Sequence, residues 1–173
     1  MTRPGAPMAS RHRRQALRLG TAAAGCALLI TACGDSPAPR EQNRAEAEVR
    51  RDYLAYWDAW LAASAASDPD LPDLSRHAAS RQLAMLRANL RESAADGTVT
   101  KGSVGHDIRS VTHGEQTSFV TDCVDLDDWV IHDRASGKPV KQLLDRPSQL
   151  ATYTLAVTEH GWLVTDSTVV DQC

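Results

Sequence analysis

The stretch AEAEVRRDYLAYWDAWL, residues 45–61, carries the strongest periodic signal in the chain. Its apolar side chains recur at helical spacing, while acidic and basic side chains fill the positions between them. This pattern predicts an amphipathic helix that presents one aromatic stripe to the rest of the fold. The stripe either packs as core or lines a pocket, and it consists of Val49, Tyr53, Tyr56, Trp57, Trp60 and Leu61.

Two further helices are predicted after this one. Pro69 ends the first helix, because proline has no amide hydrogen and disfavours helical geometry in the residue before it. A short second helix follows from Pro72, and Ser80 is the expected N-cap of a third. The third helix carries a narrower stripe of leucines and ends before Gly97.

After Gly97 the apolar pattern alternates with a period of two, which is typical of strands. A tight hairpin turn is predicted at Glu159-His160-Gly161. Three helices followed by antiparallel strands define an α+β domain over residues 45–173. The predicted strands are 104–111, 118–124, 129–131, 151–158 and 162–164.

The residues before this domain have the layout of an exported leader. Basic residues without acids occupy 1–18, a short apolar run fills 19–32, and the run ends in Leu29-Ile30-Thr31-Ala32-Cys33. That ending resembles the bacterial lipobox, whose cysteine is lipidated and becomes the first residue after cleavage. We therefore predict a signal peptide at 1–32, a lipid anchor at Cys33 and a flexible tether at 33–44. The expected location is the extracytoplasmic face of the cell membrane.

The charge of the processed chain limits its partners. All five basic residues before Cys33 leave with the leader, so the remainder carries 14 basic and 22 acidic side chains, a net charge of −8. An acidic domain does not attract nucleic acid through a general electrostatic field. The sequence therefore predicts the membrane, through its lipid anchor, as one partner and no nucleic acid.

The four cysteines predict one disulfide. Cys26 leaves with the leader and Cys33 is lipidated, which leaves Cys123 and Cys173 in an exported domain where thiols oxidise. A Cys123–Cys173 bridge would fasten the chain end to a middle strand.

Several short motifs resemble those of small actinobacterial lipoproteins of the NTF2-like superfamily. They are Tyr53-x-x-x-Trp57, Asp122-Cys123-x-Asp125, Gly161-Trp162-x-Val164 and the terminal Cys173. The resemblance implies a cone in which a curved antiparallel sheet wraps around the N-terminal helices. It also implies a candidate pocket inside the cone, formed by Tyr53, Tyr56, Trp57, Trp60, Asp122 and Trp162.

Superfamily resemblance does not decide between binding and catalysis. We expect a non-catalytic domain that binds a small apolar ligand or an envelope protein. The alternative is an enzyme of the ketosteroid-isomerase or polyketide-cyclase type, with Tyr53 or Tyr56 and Asp122 as the nearest counterparts of the reacting groups. No catalytic residue, metal or cofactor is predicted, since the chain holds no phosphate loop, dinucleotide fingerprint, nucleophile elbow or paired metal-ligand spacing. The histidines and the acidic cluster around Asp125 are expected to face solvent.

Overall fold

A computed structural model describes residues 39–140 and 148–173. The predicted signal peptide, the predicted lipidation site Cys33 and the first part of the predicted tether therefore lie outside the described residues. Three helices precede six strands: α1 (Pro39–Ala66), α2 (Pro72–His77), α3 (Ser80–Ala95), β1 (Thr98–Gly102), β2 (Gly105–Thr112), β3 (Thr117–Asp125), β4 (Trp129–Asp133), β5 (Gln149–Thr158) and β6 (Gly161–Gln172).

The strands form two antiparallel sheets. Four of them make a sheet in the order β2-β3-β5-β6, and β1 pairs with β4 in a second sheet of two strands. Helices α1 and α3 pack on these sheets, and the buried side chains of helices and strands form one hydrophobic cluster. The predicted α+β class, with helices packed against antiparallel sheet, is confirmed.

Helix α1 confirms the predicted aromatic stripe. Val49 and Tyr53 are fully buried, Tyr56, Trp57 and Trp60 are nearly so, and the stripe faces the sheets. Burying large aromatic side chains on one helix face supplies much of the apolar contact that holds helix and sheet together.

The tether prediction is wrong for residues 39–44, because α1 already begins at Pro39. Proline is well tolerated in the first helical turn, and the pairs Gln42–Glu46 and Arg44–Glu48 support the helix at i,i+4 spacing. Residues 39–44 are all exposed, so the first one and a half turns of α1 show no apolar periodicity from which a helix could be predicted.

The other helix ends lie close to their predicted positions. Helix α2 begins at Pro72 as expected, and α3 ends at Ala95 just before Gly97. Ala79 rather than Ser80 occupies the cap position of α3 and makes no side-chain capping bond, while Ser80 is the first helical residue. The N-cap prediction is therefore wrong by one residue, because the helix begins at Ser80 itself.

All five predicted strands are present, and β1 is an addition. Strand β1 was missed because Val99 is its only buried residue, which leaves no alternation to detect. The predicted turn is confirmed, since Thr158 pairs with Gly161 across Glu159 and His160.

The predicted disulfide between Cys123 and Cys173 is confirmed, with the Cα atoms 6.0 Å apart. Strands β3 and β6 are not neighbours, since β5 lies between them. The bridge therefore ties the residue that follows edge strand β6 to β3 in the middle of the sheet. The amide of Cys173 also donates to the carbonyl of Ser148, just before β5.

Candidate ligand-binding cavity

A cavity of about 450 Å³ lies between the second half of α1, α3 and strands of both sheets. Five aromatic side chains form much of its wall. Helix α1 contributes Tyr56, Trp57 and Trp60, while β4 and β5 contribute Trp129 and Tyr153. The mouth includes Met85, which is 42% exposed.

The aromatic side chains hold one another in edge-to-face and tilted contacts. The ring of Trp129 meets that of Trp60 at 5.7 Å and that of Trp57 at 6.4 Å, both nearly perpendicular. Tyr153 lies 6.1 Å from Trp57 on the other side. These are favourable aromatic geometries, so the rings stabilise one another while the cavity between the elements stays open.

One side of the cavity is polar and ordered by a hydrogen-bond relay. Gln82, in α3, donates from Nε2 to the Tyr56 hydroxyl and accepts at Oε1 from the hydroxyl of Ser167. These two contacts fix the orientation of a nearly fully buried amide. Burial raises the pKa of Tyr56 above its ordinary value, so the phenol stays neutral.

Two other polar groups in the wall have unmet hydrogen-bonding capacity. Ser64 Oγ and Trp129 Nε1 are buried, and neither has a partner among the described residues. Buried polar atoms are rarely left in this state. A ligand oxygen reaching either atom after a small side-chain shift would satisfy it.

Tyr53 and Asp122 meet outside the cavity wall, in a separate buried cluster. The Tyr53 hydroxyl donates to Asp122 Oδ2 at 2.7 Å and accepts from Trp57 Nε1 at 2.8 Å. His106 Nδ1 lies 2.6 Å from the same carboxylate oxygen, and Asp122 Oδ1 has no partner among the residues described. Tyr53 and Asp122 are both fully buried, so the cluster is a structural element of the core.

The electrostatics of this cluster keep Tyr53 protonated. Burial raises the pKa of Tyr53 well above its ordinary value, and the neighbouring Tyr153 and Asp122 raise it further. A phenol that stays neutral acts as a hydrogen-bond donor to the carboxylate. Trp57 joins the two sites, because its ring lines the cavity while its Nε1 donates into the cluster.

The expectation that histidines face solvent is wrong for His106. Its side chain is only 16% exposed because β2 pairs with β3 and brings residue 106 beside Asp122. No local spacing signals this contact, since it depends on strand register. His113 and His160 are exposed, as are Asp125, Asp127 and Asp128, which confirms the prediction for those positions. The prediction is wrong for Asp122, the fourth acid of the cluster, which is fully buried.

Trp162 lies in the same hydrophobic core but not in the cavity wall. Its aromatic neighbour is His113, at 5.4 Å, and its amide donates to Asp52 Oδ2 of α1 at 2.9 Å. Of the six predicted pocket residues, the structure therefore brings Tyr56, Trp57 and Trp60 together around the cavity. Tyr53 and Asp122 lie behind it, and Trp162 lies elsewhere.

Sequence reasoning missed three main wall residues: Gln82, Trp129 and Tyr153. Tyr153 alternates with polar residues in a predicted strand, and Trp129 begins another predicted strand. Their burial could therefore be predicted, but their meeting at one cavity could not. Gln82 is a polar residue in a helix and gives no such signal.

Two negative findings apply to residues 39–140 and 148–173. No helix in these ranges is long and apolar enough to span a membrane. Within the same ranges, no three His, Cys, Asp or Glu side chains are grouped in a way that would hold a metal ion.

Comparison with known proteins gives likenesses in structure alone. No family model and no curated protein matches the sequence. The intermembrane space region of the chloroplast protein ARC6 is similar over 73% of this chain and 97% of its own, with 14% identity and a TM-score of 0.52. A cystatin-like domain of unknown function from Nostoc punctiforme shares 8% identity over 79% of this chain and 80% of its own, with a TM-score of 0.38. The first likeness shows the fold, and the second is too distant to support an argument.

Fold and cavity together define a class: an α+β domain with helices packed on antiparallel sheet around an aromatic cavity of ligand size.

Proposed function

We propose that this protein is a lipid-anchored extracytoplasmic binding protein, built on an NTF2-like cone that holds a small, largely apolar ligand. The observation that carries the proposal is the cavity of about 450 Å³ walled by five aromatic side chains. Small-molecule sites in proteins are concave, mostly apolar and carry a few fixed polar groups. A concave wall of this kind favours a small molecule over the envelope protein that was the other predicted partner.

The buried Tyr53–Asp122 pair is the observation closest to the enzymatic alternative. A general acid or base must come within hydrogen-bonding distance of its substrate. Both side chains are fully buried and neither lines the cavity, so a ligand in the cavity would not be in direct contact with either group. This arrangement supports binding without catalysis.

The first experiment measures binding with and without a blocked mouth. N-phenyl-1-naphthylamine is an uncharged probe that fluoresces in apolar surroundings, and we expect the wild-type protein to bind it. Asn89 and Ser93 line the mouth one helical turn apart on α3. Asn89→Trp should weaken probe binding about tenfold or more, a loss of about 1.4 kcal/mol, because the indole occupies the entrance.

Ala88→Trp is the matched control, since Ala88 is exposed on the same helix and does not line the cavity. Its affinity for the probe should stay within about twofold of wild type. Equal affinities for all three proteins, or no binding by the wild type, would reject the cavity as the binding site.

The lipid anchor is tested separately at Cys33. Cys33→Ala removes the sulfur that accepts the lipid, so this variant should lose the acyl mass and leave the membrane fraction. Mass spectrometry of the mature N-terminus and membrane fractionation measure the two effects. Wild-type protein recovered as a secreted chain without an acyl group would refute the anchor.

The start of α1 at Pro39 changes the expected reach of the tether. Only five residues, 34–38, separate Cys33 from the helix. Even when fully extended, a segment of that length spans about 18 Å. An anchored domain would therefore be held close to the membrane surface.

A further inference from the structure

The wall of the cavity carries no formal charge. Every described side chain that lines it is aromatic or aliphatic or carries a thioether, an amide or a hydroxyl group. Charged residues make up 24% of the chain. If the wall had the same composition as the chain, about four of its seventeen described residues would be charged. The wall is thus depleted of charge while remaining rich in neutral polar groups.

The charged residues next to Gln82 and Ser167 in sequence, and the buried Asp122 near Trp57, do not line the cavity. Arg81 and Asp166, the sequence neighbours of Gln82 and Ser167, form an ion pair at 3.4 Å on the exposed side. Asp122 is held by Tyr53 and His106 behind Trp57. No described charge is therefore placed to compensate a charged group on a ligand.

A charged ligand would lose water on entering this cavity without gaining a counter-ion. Such desolvation is unfavourable by several kcal/mol when the charge is well buried. Neutral hydroxyl and carbonyl groups avoid that penalty, and the amides and hydroxyls of Gln82, Gln149 and Thr100 offer them donors and acceptors. Ser64 Oγ and Trp129 Nε1, which have no partner among the described residues, would add to these only after a small side-chain shift, because both atoms are buried.

We infer that the ligand is uncharged, with an apolar body that bears hydroxyl or carbonyl groups. The cavity discriminates against carboxylates, phosphates and ammonium groups. This inference deepens the proposed function and rests on it. It separates the ligand from fatty acids and from phospholipid headgroups, which an apolar cavity near a membrane would otherwise be expected to accept.

The test uses three probes that share one ring system and differ in charge. They are 2-naphthalenemethanol, 2-naphthoate and (2-naphthylmethyl)ammonium, each used at pH 7 to displace N-phenyl-1-naphthylamine from the wild-type protein. The neutral alcohol should displace the probe at a concentration at least about tenfold lower than either ion. The ammonium probe is the more stringent comparison. The chain after Cys33 has a net charge of −8 and attracts cations at long range, so weaker binding of the ammonium probe must come from the cavity itself.

A second arm places a charge in the wall without changing its shape. Asn89→Asp should strengthen binding of the ammonium probe and weaken that of naphthoate, each about threefold, and leave the alcohol unchanged. Asn43→Asp, at an exposed position on the first turns of α1, is the matched control and should change none of the three.

The outcomes separate the inference from the proposed function. If N-phenyl-1-naphthylamine binds and Asn89→Trp blocks it, but an ion displaces it as well as the alcohol does, the inference is wrong and the binding function stands. Equal responses of the ionic probes to Asn89→Asp and Asn43→Asp would also overturn it, because the preference would then come from the net charge of the protein. If N-phenyl-1-naphthylamine does not bind at all, both fail together.

Discussion

Replacing Trp57 by alanine is expected to lower the free energy of unfolding by about 3–5 kcal/mol, the range seen for large aromatic residues in close-packed cores. Trp57 is 6% exposed and meets Tyr56, Tyr153 and Trp129 with its ring. Its Nε1 also donates to the Tyr53 hydroxyl, so the substitution removes a buried hydrogen bond together with the packing. Because one side of the ring faces the cavity, we expect the decrease in the free energy of unfolding to lie in the lower half of this range of about 3–5 kcal/mol. Chemical denaturation measures it.

Trp57→Phe is the control for this experiment. It keeps a ring in place and removes the indole N–H, so its loss should be near the value of a single hydrogen bond, about 1 kcal/mol, plus a smaller packing term. A loss below about 1 kcal/mol for Trp57→Ala would contradict the packing described for this side chain.

Removing the disulfide is expected to have a second large effect, about 4 kcal/mol in the chain-entropy model. The two cysteines are 50 residues apart in sequence, so the bridge closes a long loop and restricts the unfolded chain. It also holds the last residues of β6 beside β5. The double variant Cys123→Ala/Cys173→Ala should therefore unfold at a clearly lower denaturant concentration than the oxidised wild type.

Reduction of the wild-type protein supplies the matched comparison. A reducing agent should bring the wild type to the stability of the double variant and should leave that variant unchanged. Before reduction, mass spectrometry should show one linked Cys123–Cys173 peptide. Two freely alkylated thiols, or no change in stability on reduction, would contradict the bridge and its role.

The sequence was most informative where apolar residues repeat at a fixed period, and where so few cysteines remain that only one pairing is possible. The α1 stripe and the alternation in β5 reflect local geometry, because a buried face must recur at the period of the helix or strand. The disulfide prediction followed from the two cysteines that remain in a chain predicted to be exported. The signal peptide and the lipid anchor at Cys33 also rest on a local sequence pattern, and they remain predictions.

Features that depend on distant contacts were not readable from the sequence. His106 reaches Asp122 through strand register, and Tyr53 reaches the same carboxylate across 69 residues of chain. The convergence of Trp129 and Tyr153 with α1 depends on how two sheets pack against one helix. The first turns of α1 were missed for a local reason: all their residues are exposed, so they show no apolar pattern.

The four tryptophans allow the most direct test of the cavity as a binding site. Each indole N–H gives its own signal in a ¹H–¹⁵N NMR spectrum, and three of them, Trp57, Trp60 and Trp129, belong to residues that line the cavity. Trp162 is similarly buried but lies against His113, so it is an internal control. During titration with N-phenyl-1-naphthylamine we expect the first three signals to shift together and saturate at one concentration while the signal of Trp162 stays in place. A titration that moves Trp162 and leaves the other three unchanged would contradict a ligand in this cavity.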